Sequence, residues 1–70
     1  MVYNHKYRYS YEVTHFILEN GGYTYLLDKV KRGYSVAGLS LEIDCSYNVL
    51  VKSLKYLGFP WGECKKYYLG

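Results

Sequence analysis

Cysteine, proline and acidic residues are scarce in this chain of 70 residues, which has two cysteines, one proline and six aspartates or glutamates. Cys45 and Cys64 do not form a C-x-x-C pair, and their spacing relative to His5 and His15 matches no zinc module. We therefore expect no metal site and no cofactor. We also expect both thiols to stay reduced, because a disulfide is disfavoured in a reducing cytosol.

Long apolar runs are also missing. No stretch of the sequence approaches 18 apolar residues, so no membrane span and no membrane partner are predicted. The first residues, MVYNHKYRYSYE, do not have the apolar core of a signal peptide. These two absences predict a cytoplasmic protein.

Motifs that carry catalytic chemistry are not found either. Gly21 and Gly22 precede a helical pattern but lack the strand and the lysine of a phosphate-binding loop. No paired carboxylates and no Ser-His-Asp or Cys-His arrangement is indicated, and His15 beside an apolar helix face is more typical of a structural histidine. A chain of this length forms one domain with little room for a closed pocket, so we expect that it is not an enzyme.

Tyrosine and positive charge, by contrast, are plentiful. The chain has eleven tyrosines, a formal charge of +3 and a sequence pI near 8.8. A mildly basic surface permits nucleic-acid binding without requiring it. Tyrosine is enriched at protein interfaces, so an abundance of it also permits a protein partner.

Apolar periodicity predicts four short helices, at residues 10–20, 23–32, 35–43 and 46–57. Ser35 and Ser46 are placed to cap the third and fourth helices, and Gly58 followed by Pro60 should end the fourth. The chain should turn sharply at Asp44, with positive φ. The inner faces should form one core from Leu26, Leu27, Val30, Leu39, Ile43, Leu50, Leu54 and Leu57.

The stretch YSVAGLSLEIDCSYNVLVKSLKYLGF, residues 34–59, resembles the helix-turn-helix of bacterial, archaeal and phage transcription regulators. Ser40 fills the family's small position in the first helix, Cys45 fills the apolar position after the turn, and Leu50 follows five residues later. Asp44 departs from the usual glycine of the turn, although Asp tolerates the left-handed conformation. The resemblance implies an entry helix at 23–32 and a recognition helix at 46–57.

The domain organisation that follows is a single helix-turn-helix domain over 1–70. It comprises an N-terminal extension at 1–9, leading helices at 10–33, the helix-turn-helix at 34–59 and a C-terminal extension or wing at 60–70. The fold class is mainly α, with three or four short helices. The N-terminal segment is open between a strand or ordered extension, a mobile basic arm and a frayed terminus. Residues 64–69 could form a strand that pairs with the N-terminal segment. The two strands would make a small two-stranded, winged-helix-like β element.

The resemblance implies that the protein binds double-stranded DNA as a small transcriptional regulator, and that it does so as a homodimer on two half-sites. Asn48 would read adenine, Tyr47 and Val51 would contact thymine methyls, and Lys52 would reach a guanine or a phosphate. Further backbone contacts are expected from Ser46, Lys55, Lys29, Arg32, Lys6 and Arg8.

A second hypothesis is a small viral or mobile-element protein that binds a host or regulatory protein through a Tyr-rich surface. Charge placement separates the two hypotheses. DNA is favoured if four cations share one face with the start of the fourth helix, namely Lys52, Lys55, Lys29 and Arg32. An apolar or acidic face there favours a protein partner.

Overall fold

The computed structural model describes residues 5–69, which form five helices. Their bounds are α1, Ser10–Glu19; α2, Tyr23–Lys31; α3, Val36–Ile43; α4, Tyr47–Leu57; and α5, Trp61–Leu69. The first four confirm the four helices predicted from periodicity, each within one residue at either end. The mainly α class is therefore confirmed for the described part of the chain.

The helix ends follow the chemistry of their flanking residues. The Ser35 side chain accepts a hydrogen bond from the Gly38 amide at 3.0 Å and caps α3, and Ser46 accepts one from the Val49 amide at 3.3 Å and caps α4. Gly58, with φ of 72°, ends α4 in the left-handed conformation that glycine adopts without a Cβ penalty. All three predicted caps are confirmed.

Asp44 joins α3 to α4 in the left-handed conformation, with φ of 74° and ψ of 58°. Among the described residues it is the only one other than glycine with positive φ, which confirms the predicted position of the turn. Its amide donates to the Ser40 carbonyl at 2.9 Å and the next amide, that of Cys45, donates to the same oxygen at 3.0 Å. Both amides of the turn therefore find an acceptor within α3.

One apolar core holds the helices together, and it draws on every helix. Of the eight predicted core residues, Leu27 and Leu57 are half-buried and the other six are buried. The remaining buried apolar residues are Val13, Ile17, Cys45, Phe59 and Trp61. Helix α4 packs against α1 and α3, while α2 packs against α1 and α5.

Residues 5–9, the docked extension, lie across the α3–α4 turn. The Tyr7 amide donates to the Asp44 carbonyl at 3.1 Å, and Tyr7 forms an isolated parallel bridge with Cys45. The His5 ring lies 3.5 Å from the Asp44 carboxylate, and the Tyr7 ring packs on Phe16 with centroids 5.5 Å apart. Of the three alternatives for this segment, the ordered extension is the one observed over 5–9; residues 1–4 lie outside the described residues.

The predicted strand at residues 64–69 is wrong, and residues 5–69 contain no winged β element. Trp61–Leu69 is a helix instead, packed against α2, and the Cys64 amide donates to the Pro60 carbonyl at 3.0 Å in its first turn. Proline favours a helical start because its φ is already fixed near the helical value. Trp61 then anchors the helix in the core, at 7% exposure.

Within residues 5–69, no helix is long and apolar enough to cross a membrane.

Candidate nucleic-acid interface

Helix α4 is held in place by contacts on two sides and at its carboxyl end. On the α1 side, the hydroxyl oxygens of Thr14 and Ser53 lie 2.7 Å apart, and both residues are buried. At the far end, the Tyr23 hydroxyl donates to the Leu57 carbonyl, which is one of the last carbonyls of α4 without a partner within the helix. The helix is therefore fixed in its orientation, and the residues opposite the core project into solvent.

Asn48, Lys52 and Lys55 form the exposed stripe of α4. They are spaced i, i+4, i+7 and are all exposed, whereas Leu50, Ser53 and Leu54 on the opposite face are buried. Neither lysine has an ion-pair partner among the described residues, and α4 contains no aspartate or glutamate. The stripe therefore offers one amide and two unpaired ammonium groups on a rigid support.

The three other predicted contact residues of α4 differ in accessibility. Tyr47, at the first position of the helix, is 53% exposed. Val51 is half-buried, so less of its side chain reaches solvent than the sequence predicted. Ser46 is half-buried and its oxygen already accepts the capping bond, which leaves its hydroxyl proton for an acceptor outside the chain.

Lys29 belongs to a cluster that joins α2 to α3. Its ammonium lies 2.6 Å from Glu42 Oε2, and the Tyr34 hydroxyl donates to Glu42 Oε1 at 2.6 Å. The same ammonium lies over the rings of Tyr25 and Tyr34, 5.4 Å and 4.9 Å from their centroids. The hydrogen bonds from Lys29 and then Tyr34 lower the pKa of Glu42, and the bond to Glu42 raises the pKa of Lys29. A phosphate could reach this lysine only by breaking its ion pair.

The remaining predicted cations lie outside α4, one directly after α2 and two on the docked extension. Arg32 follows α2 and pairs with Asp28 at 3.0 Å, with 65% of its side chain exposed. Lys6 and Arg8 belong to the docked extension, where the Lys6 ammonium lies 5.4 Å from the Tyr7 ring centroid and the Arg8 amide donates to Glu12 at 3.0 Å. Lys29 and Arg32 are thus each paired with an acid, and the four cations chosen to separate the hypotheses do not form one free cluster.

Sequence reasoning missed Glu42 because its partner Lys29 is thirteen residues away in another helix. It also missed an aromatic cleft between α1 and α4, of about 390 Å³, lined by Ser10, Tyr11, Thr14, His15, Leu18 and Tyr56. The available signal was that Leu18 and Tyr56 fall outside the apolar faces of their helices. In the structure they are 57% and 82% exposed.

The cysteines and histidines are far from forming a metal centre in residues 5–69, where no three metal-ligating side chains come together. Cys45 is buried, which raises the pKa of its thiol to about 11, and the nearby Asp44 carboxylate adds to this shift. Cys64 is half-buried, and both thiols are free.

Comparison of the chain with models of protein families, with curated proteins and with solved structures gives no match.

Proposed function

We propose that this protein binds double-stranded DNA sequence-specifically, as a small transcriptional regulator of the helix-turn-helix type, with α4 as its recognition helix. The observation that carries the proposal is the exposed stripe Asn48–Lys52–Lys55 on a helix without acidic residues. The resemblance of residues 34–59 to helix-turn-helix regulators points to the same helix. The proposal includes binding as a homodimer, since one such module makes few base contacts by itself.

The chemistry of the stripe suits the major groove. An asparagine amide can pair with adenine in a bidentate manner, and a lysine can reach a guanine edge or a phosphate. Because Asn48 and Lys52 are one turn apart on the same face, both can address neighbouring positions of one groove. Tyr47 at the amino end of the helix adds an exposed aromatic ring for a thymine methyl.

The second candidate is a protein partner bound through tyrosines. The observation that favours it is that seven tyrosines within residues 5–69 are exposed, namely Tyr9, Tyr11, Tyr23, Tyr47, Tyr56, Tyr67 and Tyr68. A helical hairpin does not by itself establish DNA binding. The two candidates predict different responses to salt, because protein interfaces of tyrosine do not release condensed counterions.

The deciding experiment is a fluorescence titration of the protein on a selected duplex and on random-sequence duplex, each at two salt concentrations. Asn48→Ala should lose about 1–3 kcal/mol of binding to the selected duplex and relax one base position. Lys52→Ala should either do the same at a guanine or weaken binding to all sequences while lowering the salt slope by about one unit.

Lys66→Ala on α5 is the matched control for Lys52→Ala. It removes the same charge from an exposed lysine on a different helix, so it separates a contact at α4 from a general effect of net charge. We expect it to leave the salt slope at the parent value. A parent protein without salt-dependent affinity for any duplex would exclude DNA binding and leave the tyrosine surface as the candidate.

A further inference from the structure

Four exposed apolar side chains form one continuous surface, the aromatic patch, on α1, α4 and the residue before α1. Tyr11, Leu18 and Tyr56 line the cleft between the two helices, and the Tyr9 ring stacks on Tyr11 with centroids 5.7 Å apart and planes 10° apart. Their exposures are 59% for Tyr9, 69% for Tyr11, 57% for Leu18 and 82% for Tyr56. The protein thus exposes a contiguous apolar patch, and the largest such patch on a small protein is often functional.

We propose that the aromatic patch is the surface through which two copies of this chain associate. An aromatic side chain presents on the order of 200 Å². Three tyrosines and a leucine at these exposures therefore offer about 500 Å² per copy, and two copies bury about 1,000 Å², the lower limit of a specific interface. The patch is therefore large enough for a weak dimer of this chain.

Charge favours a second copy over a nucleic-acid strand at this place. The cleft lining contains no lysine or arginine, and its histidine, His15, is paired with Glu19 at 3.2 Å. A nucleic-acid strand requires cations along its backbone, which the lining does not supply. Two molecules that each carry a charge of +3 can approach with least repulsion where the surface is close to neutral.

The shape of the patch is suited to a twofold contact. It contains both a cleft of about 390 Å³ and the projecting side chain of Tyr56 at its edge, so each copy can place its Tyr56 in the cleft of the other. Such an isologous contact uses the same residues twice. Tyrosine is also among the residues that contribute most when buried at the centre of an interface.

The contact borders the exposed stripe without including it. Tyr56 lies one turn beyond Lys52 on α4, at i+4, at the edge of the exposed face nearest to α1, where it lines the cleft. Association would therefore bring two α4 helices near one another. The inference rests on the patch and not on DNA binding, so it is tested without nucleic acid.

The test is sedimentation equilibrium of the parent chain over a range from about 5 µM to about 500 µM, where a weak dimer with a dissociation constant of tens of micromolar dissociates measurably. Tyr56→Ala and Leu18→Ala should each raise that constant at least about tenfold, since each truncation acts twice in a symmetric dimer. Tyr56→Lys should abolish association, because an ammonium group would then have to enter the largely apolar cleft of the other copy.

The controls are matched in exposure and residue type. Tyr67 on α5 is 82% exposed, the same as Tyr56, and Leu41 on α3 is 78% exposed. Tyr67→Ala, Tyr67→Lys and Leu41→Ala should leave the dissociation constant within about twofold of the parent, as surface changes away from a contact do. Far-ultraviolet circular dichroism on every variant verifies that the helices are intact.

Two results would overturn the inference. One is a parent that stays monomeric up to the highest concentration, which would assign the patch to a different protein. The other is a dimer that Tyr67→Ala weakens as much as Tyr56→Ala does, which would move the contact to α5. A dimer that loses association on Tyr56→Ala but has no affinity for DNA would support this inference while excluding the proposed function.

Discussion

The buried hydroxyls of Thr14 and Ser53 show how one proton determines the effect of a substitution. Thr14 Oγ1 donates to the Ser10 carbonyl at 2.8 Å, which uses its only proton. Ser53, which is fully buried, must therefore be the donor in the 2.7 Å contact between the two hydroxyls. The two residues are thus not equivalent, although each loses one hydrogen bond when the other is replaced.

Thr14→Val should be the more damaging of the two single changes. It leaves the Ser53 hydroxyl buried without its acceptor, at a cost of about 1–3 kcal/mol in the free energy of unfolding. Ser53→Ala leaves Thr14 bonded to Ser10 and should cost less than about 1 kcal/mol. Urea denaturation of both variants gives the comparison.

The double variant Thr14→Val, Ser53→Ala completes the cycle. Since no hydroxyl is then left unsatisfied, its loss of stability should be smaller than the sum of the two single losses. Equal costs for the two single variants would show that the donor assignment is wrong.

Among the helices, α2 and α3 are bridged by a single carboxylate. Glu42 receives a hydrogen bond from Tyr34 on one oxygen and the Lys29 ammonium on the other. Because these partners lower its pKa from the ordinary value of 4.5, the folded state binds fewer protons than the unfolded state as the pH falls. The stabilisation is therefore complete above about pH 4.5 and is lost as the pH drops through the lower pKa of the folded state.

Glu42→Gln should reduce the free energy of unfolding by about 1 kcal/mol at neutral pH, because the group is partly exposed and partly screened. The difference from the parent should shrink as the pH falls below the ordinary carboxyl value. Thermal unfolding from neutral to acidic pH measures both effects.

Asp28→Asn is the control for Glu42→Gln, since it also replaces an acid that is paired with a cation. Asp28 belongs to the exposed i, i+4 pair with Arg32, so its replacement should change stability by less than about 0.5 kcal/mol. A difference for Glu42→Gln that persists undiminished at acidic pH would contradict the role of the charge.

The same helices show how far the sequence alone leads. Local signals predicted α3 and α4 correctly. These signals are the serine caps, the apolar spacing and the glycine that ends α4, and all of them lie within or next to the helix they define. The short run CKKYYL at residues 64–69 also fits a strand, and the preceding proline together with packing against α2 favours the observed helix. In the candidate site, Asn48 and Lys52 could be assigned to an exposed face from spacing, whereas the engagement of Lys29 by Glu42 depends on contacts between distant segments.

The whole molecule depends on one small core, so a single cavity has a large effect. Leu54 is 5% exposed and lies in the core. Leu54→Ala should cost about 2–5 kcal/mol, a large share of the roughly 4–10 kcal/mol expected for a domain of this length. Chemical denaturation should show a large shift of the midpoint, in one transition for all probes.

Leu41→Ala is the control for this change, since it removes the same atoms from an exposed position on α3. It should change stability by less than about 0.5 kcal/mol. Comparable losses for Leu41→Ala and Leu54→Ala would show that the core is drawn in the wrong place.

The Cys45 thiol can report on opening of the α3–α4 turn, where Tyr7 of the docked extension forms a bridge with Cys45. With its pKa raised to about 11, Cys45 contains almost no thiolate at neutral pH while it is enclosed. Each opening that exposes the thiol to water restores its ordinary acidity, so the rate of alkylation reports how often the thiol is exposed. The alkylation rate of the half-buried Cys64 thiol, on α5, provides an internal reference in the same molecule. Alkylation of Cys45 therefore measures opening around the α3–α4 turn without any change to the sequence.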